Sequence, residues 1–207
     1  AIRASGGAGD DVIRGGMGND ILDPGAGIDI VDGRGGDDTL TGSIYTTYIG
    51  GDGYDVVDFS FGQGAGIDIL TTGSGTAPGS TFSGVERFLG SNTAGDFMYG
   101  DDAANRFEGN GGNDTLDGRG GNDILIGGAG VDRLFGGAGD DTIYFDPGDD
   151  LANVQGGDGA DTLIVTGGPA TSFNLASHGF EVAQVRFSIT GATYTDFYDS
   201  QWRLSHE

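Results

Sequence analysis

A nine-residue unit, G-G-x-G-x-D-x-U-x with U a large aliphatic residue, returns along most of this chain and leaves few folds open to it. "GNGGNDTLDGRGGNDILIGGAGVDRLFGGAGDDTIYF", from Gly109 to Phe145, shows it at full strength. Asp114, Asp123, Asp132 and Asp141 recur nine residues apart, each behind a glycine-rich loop. An earlier run opens with "GGAGDDVIR" at Gly6 and continues through "GGMGNDILD", "PGAGIDIVD" and "GRGGDDTLT". A degenerate eight-residue unit, "GSIYTTYI" from Gly42, and then "GGDGYDVVD" from Gly50 close that run. The period lapses from Phe59 to Gly90. "QGAGIDILT" from Gln63 lies out of phase there, because Asp68 follows Asp55 by thirteen residues, and Asp68 is not taken as a site. The second run enters through Asp96 and "GDDAANRFE", where Asn105 stands in the Asp position. "FDPGDDLAN" from Phe145 is degenerate, and "GGDGADTLI" from Gly156 ends the series.

Each unit divides into six residues of turn and three of strand. Glycine supplies the positive φ angles that a tight turn demands. The x-U-x triplet is a minimal strand of about 10 Å, with U facing inward and its neighbours outward. Ile13, Leu22, Val31, Leu40, Val57, Leu116, Leu125, Leu134, Ile143 and Leu163 are thus expected to form one interior file. Two units make one coil, and units eighteen residues apart stack as parallel neighbours, roughly 4.8 Å apart. Asp114 then stands over Asp132, and Asp123 over Asp141. Two carboxylates at that spacing repel by about 3–4 kcal/mol at an effective dielectric of about 20. Protons or cations must lie between the rungs, and at neutral pH cations are favoured.

The donors select the cation. The loops offer carboxylate and carbonyl oxygens, with no patterned His and no Cys. Flexible all-oxygen sites suit Ca²⁺, whereas Mg²⁺ dehydrates reluctantly and zinc prefers nitrogen or sulfur. One aliphatic side chain per nine residues is a thin core. Metal binding should therefore form part of the folding free energy.

Composition narrows the partners. With 32 acidic and 9 basic residues the net charge is −23, which disfavours nucleic acid and anionic membrane surfaces. No apolar run is long enough to span a bilayer. Without cysteine, disulfides and thiol catalysis are excluded. His178 and His206, the only histidines, are assigned to surface or packing roles in the tail. No Ser/His/Asp set stands out. Asp10, Asp37, Asp140 and Asp149, one place before the repeat Asp, are expected to face solvent. The chain starts at Ala1 in mid-pattern and is expected to be a piece of a longer protein, monomeric as a fragment.

At these residues the sequence resembles the RTX (repeats-in-toxin) calcium-binding proteins. The resemblance implies an all-β, right-handed parallel β-roll. It is read as one block over 1–58, an irregular linker excursion over 59–95, a second block over 96–165 and a non-repeat, β-rich C-terminal cap over 166–207. Each ion is implied to lie between units n and n+2, held by both Asp side chains and by loop carbonyls. The implied pairs are Asp11 with Asp29, Asp20 with Asp38, and Asp38 with Asp55. In the second block they are Asp96 with Asp114, Asn105 with Asp123, Asp114 with Asp132, Asp123 with Asp141, Asp132 with Asp150, and Asp161 with Asp141. Thr47 lies near the ligand position in the short unit. The carbonyls implied are those around Gly6, Gly9, Gly15, Gly18, Gly27, Gly33, Gly36, Gly50, Gly53, Gly109, Gly112, Gly118, Gly121, Gly127, Gly130, Gly136, Gly139, Gly156 and Gly159. About 7–9 calcium ions are implied.

The resemblance further implies a bacterial, extracellular protein exported by a type I route and folding outside the cell. The chain is read as a non-enzymatic structural module of that protein. Two alternatives are an accessory module of a secreted polysaccharide-modifying enzyme or protease, and a module of an adhesin that binds a polysaccharide or cell-surface ligand.

Overall fold

The computed structural model has the repeat's strands, three residues long in some units and six in others such as Ile30–Gly35 and Thr115–Gly120, so several turns are shorter than the six residues expected. It describes residues 1–61, 68–70, 80–146, 148–149, 151–166, 178–180, 182–189 and 192–199. The strands are numbered in chain order. The first are β1 (Arg3–Ser5), β2 (Val12–Arg14), β3 (Ile21–Asp23), β4 (Ile30–Gly35), β5 (Thr39–Thr41), β6 (Thr47–Asp52) and β7 (Val56–Asp58). Next come β8 (Asp68–Leu70), β9 (Thr81–Ser83), β10 (Arg87–Leu89), β11 (Phe97–Tyr99), β12 (Arg106–Gly111) and β13 (Thr115–Gly120). The series ends with β14 (Ile124–Ala129), β15 (Arg133–Ala138), β16 (Thr142–Phe145), β17 (Val154–Asp158), β18 (Thr162–Thr166), β19 (Val182–Ile189) and β20 (Ala192–Asp199).

Alternate strands fall on opposite faces, and together they form a parallel β-solenoid of about eight turns. One face is a single sheet ordered β1-β3-β5-β7-β10-β12-β14-β16-β18-β19-β20. The other is split into β2-β4-β6-β9 and β8-β11-β13-β15-β17. Register follows the repeat: Leu116 lies beside Leu134, and Leu125 beside Ile143. β19 pairs parallel with β18, and β20 folds back antiparallel against β19. Among the described residues four non-glycine residues have positive φ, and three of them, Arg34 (75°), Asn110 (69°) and Arg119 (68°), take the second place of the unit. Most residues avoid that region; here the turn geometry overrides side-chain preference.

The interior file is as expected. Leu22, Val31, Leu40, Val57, Leu116, Leu125, Leu134, Ile143 and Leu163 are fully buried, and Ile13 nearly so. The described residues of the stretch 59–95, read from sequence as irregular, include three strands. β9 and β10 pair with β6 and β7, and β10 also pairs with β12 of the second block. β8 pairs forward with β11, so it joins the later sheet although it precedes β9 in the chain. Here the core turns aromatic. Tyr48 and Phe82 stack with centroids 5.3 Å apart, and Phe82 meets Phe88 edge-on at 5.3 Å. Phe88 then packs against Phe107 at 5.6 Å.

The Tyr48 hydroxyl sits in this core as a fixed polar node. It accepts from the Ser43 N–H at 2.6 Å and faces the carbonyls of Thr41 and Ser43 at 3.0 and 3.2 Å. Tyr48→Phe should destabilise the calcium-loaded fold by about 1–2 kcal/mol, since the partners lose their bonds while the ring stays packed. Urea unfolding in saturating calcium measures this; an unchanged midpoint would show that the node is idle.

Candidate metal centres

The repeat Asp immediately precedes each short strand, so strand register stacks the carboxylates. They form two ladders, one along each edge of the solenoid. The backbone N–H of one rung donates to the Oδ1 of the next: Asp11 to Asp29 at 2.9 Å, Asp20 to Asp38 at 2.8 Å, and Asp38 to Asp55 at 2.8 Å. In the second run Asp96 donates to Asp114 and Asp114 to Asp132, both at 2.8 Å. Asn105 donates to Asp123 at 2.7 Å, Asp123 to Asp141 at 2.8 Å, and Asp141 to Asp161 at 2.9 Å. The spacing led to Asp114 over Asp132 and Asp123 over Asp141, and the remaining pairs are those the family resemblance implied.

Three positions differ from the sequence reading. First, Asp149, expected in solvent, is half-buried and accepts the Asp132 N–H at 2.9 Å. It takes the place assigned to Asp150, which lies outside the described residues. A 3₁₀ turn at Leu151–Asn153 follows it. Asp10, Asp37 and Asp140 are exposed, as expected. Second, Thr46 rather than Thr47 occupies the rung above Asp29. It is fully buried, and its N–H donates to Ser80 Oγ at 3.2 Å. That stretch of ladder is therefore neutral. Third, Glu86 extends the other edge, accepting the Asp55 N–H on Oε2 at 2.8 Å. The acid-x-U order in "VERFL" is its sequence signal. Asp68 lies beside Phe97, one place off the rung of Asp96.

The second carboxylate oxygen has a different environment. Oδ2 of Asp11, Asp29, Asp38, Asp55, Asp114, Asp123 and Asp141 is buried without a hydrogen-bond partner among the described residues. In most units the first glycine faces the Oδ2 of its own Asp. A Cβ at Gly6 would lie 2.6 Å from both Asp11 Oδ2 and the Pro24 carbonyl oxygen. At Gly136 it would collide with Asp141 Oδ2 and the Gly156 carbonyl, and at Gly33 with Asp38 Oδ2 and the Gly50 carbonyl. Gly15, Gly109, Gly118 and Gly127 present the same crowding by their own unit's Asp Oδ2. The fourth glycines stack likewise: a Cβ at Gly27, Gly53, Gly130, Gly139 or Gly159 would strike the carbonyl of Gly9, Gly36, Gly112, Gly121 or Gly139 respectively. Carboxylate and carbonyl oxygens thus converge on small cradles that no side chain fills. Among the described residues no three His, Cys, Asp or Glu side chains cluster at one point. Each cradle depends on one carboxylate pair plus backbone oxygen, a donor set that fits Ca²⁺.

Burial raises the carboxyl pKa in several of these cradles. Asp114 and Asp123 are pushed up to about 7, and Asp55 and Asp141 to about 6, by desolvation, which outweighs the lowering effect of a backbone N–H bond and is reinforced by neighbouring carboxylates. Asp149 also rises to about 6 through burial. Asp20, nearer the open end, is lowered instead, because the Gly16 N–H donates to its Oδ2 at 2.6 Å. A carboxyl whose folded pKa exceeds its unfolded value binds protons more tightly when folded. The metal-free roll therefore loses stability as pH rises from about 4 to about 7 and regains it on acidification. In chelator, β-type circular dichroism should grow between pH 7.5 and pH 5. A signal that stays flat or falls over that range would contradict the buried ladder.

A parallel solenoid whose edges carry stacked, buried carboxylates beside open carbonyls defines a cation-binding repeat protein. The family model described as RTX calcium-binding nonapeptide repeat (4 copies) matches residues 3–31, 25–44, 92–125, 99–134, 117–152 and 153–169. These cover more than half of the 207 residues, and the chain belongs to that family. A search of curated proteins found no match. No helix among the described residues is long and apolar enough to cross a membrane.

Proposed function

We propose that this chain is the calcium-dependent folding module of a larger exported bacterial protein, and not an enzyme in itself. The observation that carries the reading is the set of buried Oδ2 atoms, among them those of Asp11, Asp29, Asp38, Asp55, Asp114, Asp123 and Asp141, that have no hydrogen-bond partner among the described residues and recur along both edges. The pairs Asp11–Asp29, Asp20–Asp38, Asp38–Asp55, Asp96–Asp114, Asn105–Asp123, Asp114–Asp132, Asp123–Asp141, Asp132–Asp149 and Asp141–Asp161 would hold the ions. When bound, calcium supplies positive charge that offsets repulsion between stacked rungs. The Asn105 pair should bind more weakly than its neighbours, having one negative charge fewer. The family's association with secreted bacterial proteins supports folding outside the cell, where calcium is abundant. The segment over 166–207 would serve as the cap of the second block. β20 there ends the parallel stacking by turning antiparallel, and covering an open edge guards against aggregation.

Isothermal titration of the chelated chain with calcium tests this. Several ions should bind per chain, and magnesium at the same concentration should neither bind the ladder nor induce β structure. Equal response to both ions, or none to calcium, would refute it.

A further inference from the structure

We infer that Glu86 is a calcium ligand, forming with Asp55 a metal site that lies outside the nonapeptide repeats and ties the two repeat blocks together. The inference rests on the calcium-binding reading above. The matched family segments leave residues 45–91 uncovered, and Glu86 has no glycine-rich loop of the repeat type before it. Yet it completes a rung. Asp55 donates its N–H to Glu86 Oε2 at 2.8 Å, the same link and length that join Asp38 to Asp55 and Asp114 to Asp132. The chain distance is 31 residues, where regular rungs span 17 or 18.

The cradle is also reproduced. Asp55 is fully buried, and its Oδ2 has no hydrogen-bond partner among the described residues. A Cβ at Gly50 would lie 2.5 Å from that oxygen and would collide with the Gly84 carbonyl. In the preceding turn the corresponding cradle at Gly33 is closed by the Gly50 carbonyl and Asp38 Oδ2. Gly84 therefore substitutes for a repeat glycine, with φ at 57°. Neighbouring cations do not satisfy the rung: the guanidinium groups of Arg87 and Arg106 both bind Glu108, each at 2.7 Å.

The sequence uses this arrangement twice. Gly84-Val85-Glu86 comes immediately before β10, and Gly179-Phe180-Glu181 immediately before β19. Val85 and Phe180 are both buried. The Gly179 carbonyl crowds Gly156 beside Asp161 Oδ2, just as the Gly84 carbonyl crowds Gly50 beside Asp55 Oδ2. Gly179 also has a positive φ, 71°. Each run of repeats thus ends on a glycine–apolar–glutamate unit that follows the last ladder Asp. Glu181 itself lies outside the described residues, and the assignment is made for Glu86 alone. Because β10 pairs with both β7 and β12, an ion at Asp55 and Glu86 would anchor the returning chain against the first block while presenting an edge to the second.

The chain has four glutamates, Glu86, Glu108, Glu181 and Glu207, so labelling the glutamate side-chain carboxyl carbon gives a sparse spectrum. In the 207-residue chain the Glu86 resonance, assigned with E86Q, should shift on calcium addition while that of Glu108 stays put. Native mass spectrometry should count one ion fewer in E86Q than in wild type or in E108Q, which removes the same charge from the outer face. Gln retains an oxygen for the Asp55 N–H, and the labelled wild-type spectrum decides the matter should E86Q fail to fold. A Glu86 resonance unmoved by calcium, or equal ion counts in wild type and E86Q, overturns the assignment and leaves the family reading intact. A wild-type chain that binds no calcium overturns both.

Discussion

Chelating calcium at pH 7.5 is expected to convert the folded roll into a largely unstructured chain, with near-complete loss of the β-type circular dichroism signal and full recovery on adding calcium back. The size of the effect follows from where the charge sits. Asp20, Asp38, Asp55, Asp114, Asp123, Asp132, Asp141 and Asp161 are all at most 2% exposed. Water cannot screen them well. Stacked rungs about 4.8 Å apart repel by roughly 3–4 kcal/mol per pair at an effective dielectric of about 20. Several such pairs together rival the ~5–15 kcal/mol net stability of an ordinary domain. The metal-free chain can relieve this repulsion by protonation, and burial pushes Asp114 and Asp123 up to about 7. Magnesium should not rescue the fold, because its demand for a tight octahedron and its bound water suit neither the carbonyls nor the spacing. A β signal that persists through exhaustive chelation at neutral pH, with calcium shown to be absent, would overturn this account of what holds the coil together.

The parts of the fold governed by local period were legible in the sequence, and the parts governed by long-range pairing were not. A nine-residue unit fixes which side chain points inward, so Leu116, Leu125, Leu134 and Ile143 could be placed from spacing alone. The same spacing placed Asp114 beside Asp132 and Asp123 beside Asp141. Where a unit loses a residue the reading slips by one, as at Thr46, because nothing in "GSIYTTYI" says whether the turn or the strand was shortened. Tyr48 resolves it: the ring is buried beside Val31 in register, which sets Thr46 next to Asp29. β8 is a different kind of miss. Ile69 is fully buried at the centre of a strand, yet its partner β11 lies beyond two intervening strands in the chain. Periodicity carries no information about such a forward pairing. The neutral rungs at Thr46 and Ser80 fall beside the stacked Tyr48 and Phe82. Where the ladder lacks acid to bind an ion, aromatic packing supplies the contact.

Gly118→Ala is expected to impair a calcium site without touching any carboxylate, weakening calcium binding at the Asp123–Asp141 rung by roughly tenfold or more. Gly118 has no positive φ, so alanine is acceptable to the backbone, and the whole effect must come from space. An added Cβ would lie 2.6 Å from the Gly136 carbonyl oxygen and closer still to Asp123 Oδ2. Those oxygens define the cradle. To escape the methyl group they must move apart, away from the position in which both can reach one ion. Gly120, two residues on in the same strand and also without a positive φ, is the matched control. A Cβ there meets first the Asp102 Oδ1 at 3.2 Å, the end of an exposed side chain that can swing aside. Gly120→Ala should therefore bind calcium much as wild type does. Side-by-side calcium titrations of the two variants, with circular dichroism at saturating calcium to confirm that both still fold, separate the effect of a filled cradle from the general effect of losing a glycine. Equal affinities for Gly118→Ala and wild type would mean that the converging oxygens at Gly118 are not where the ion is held.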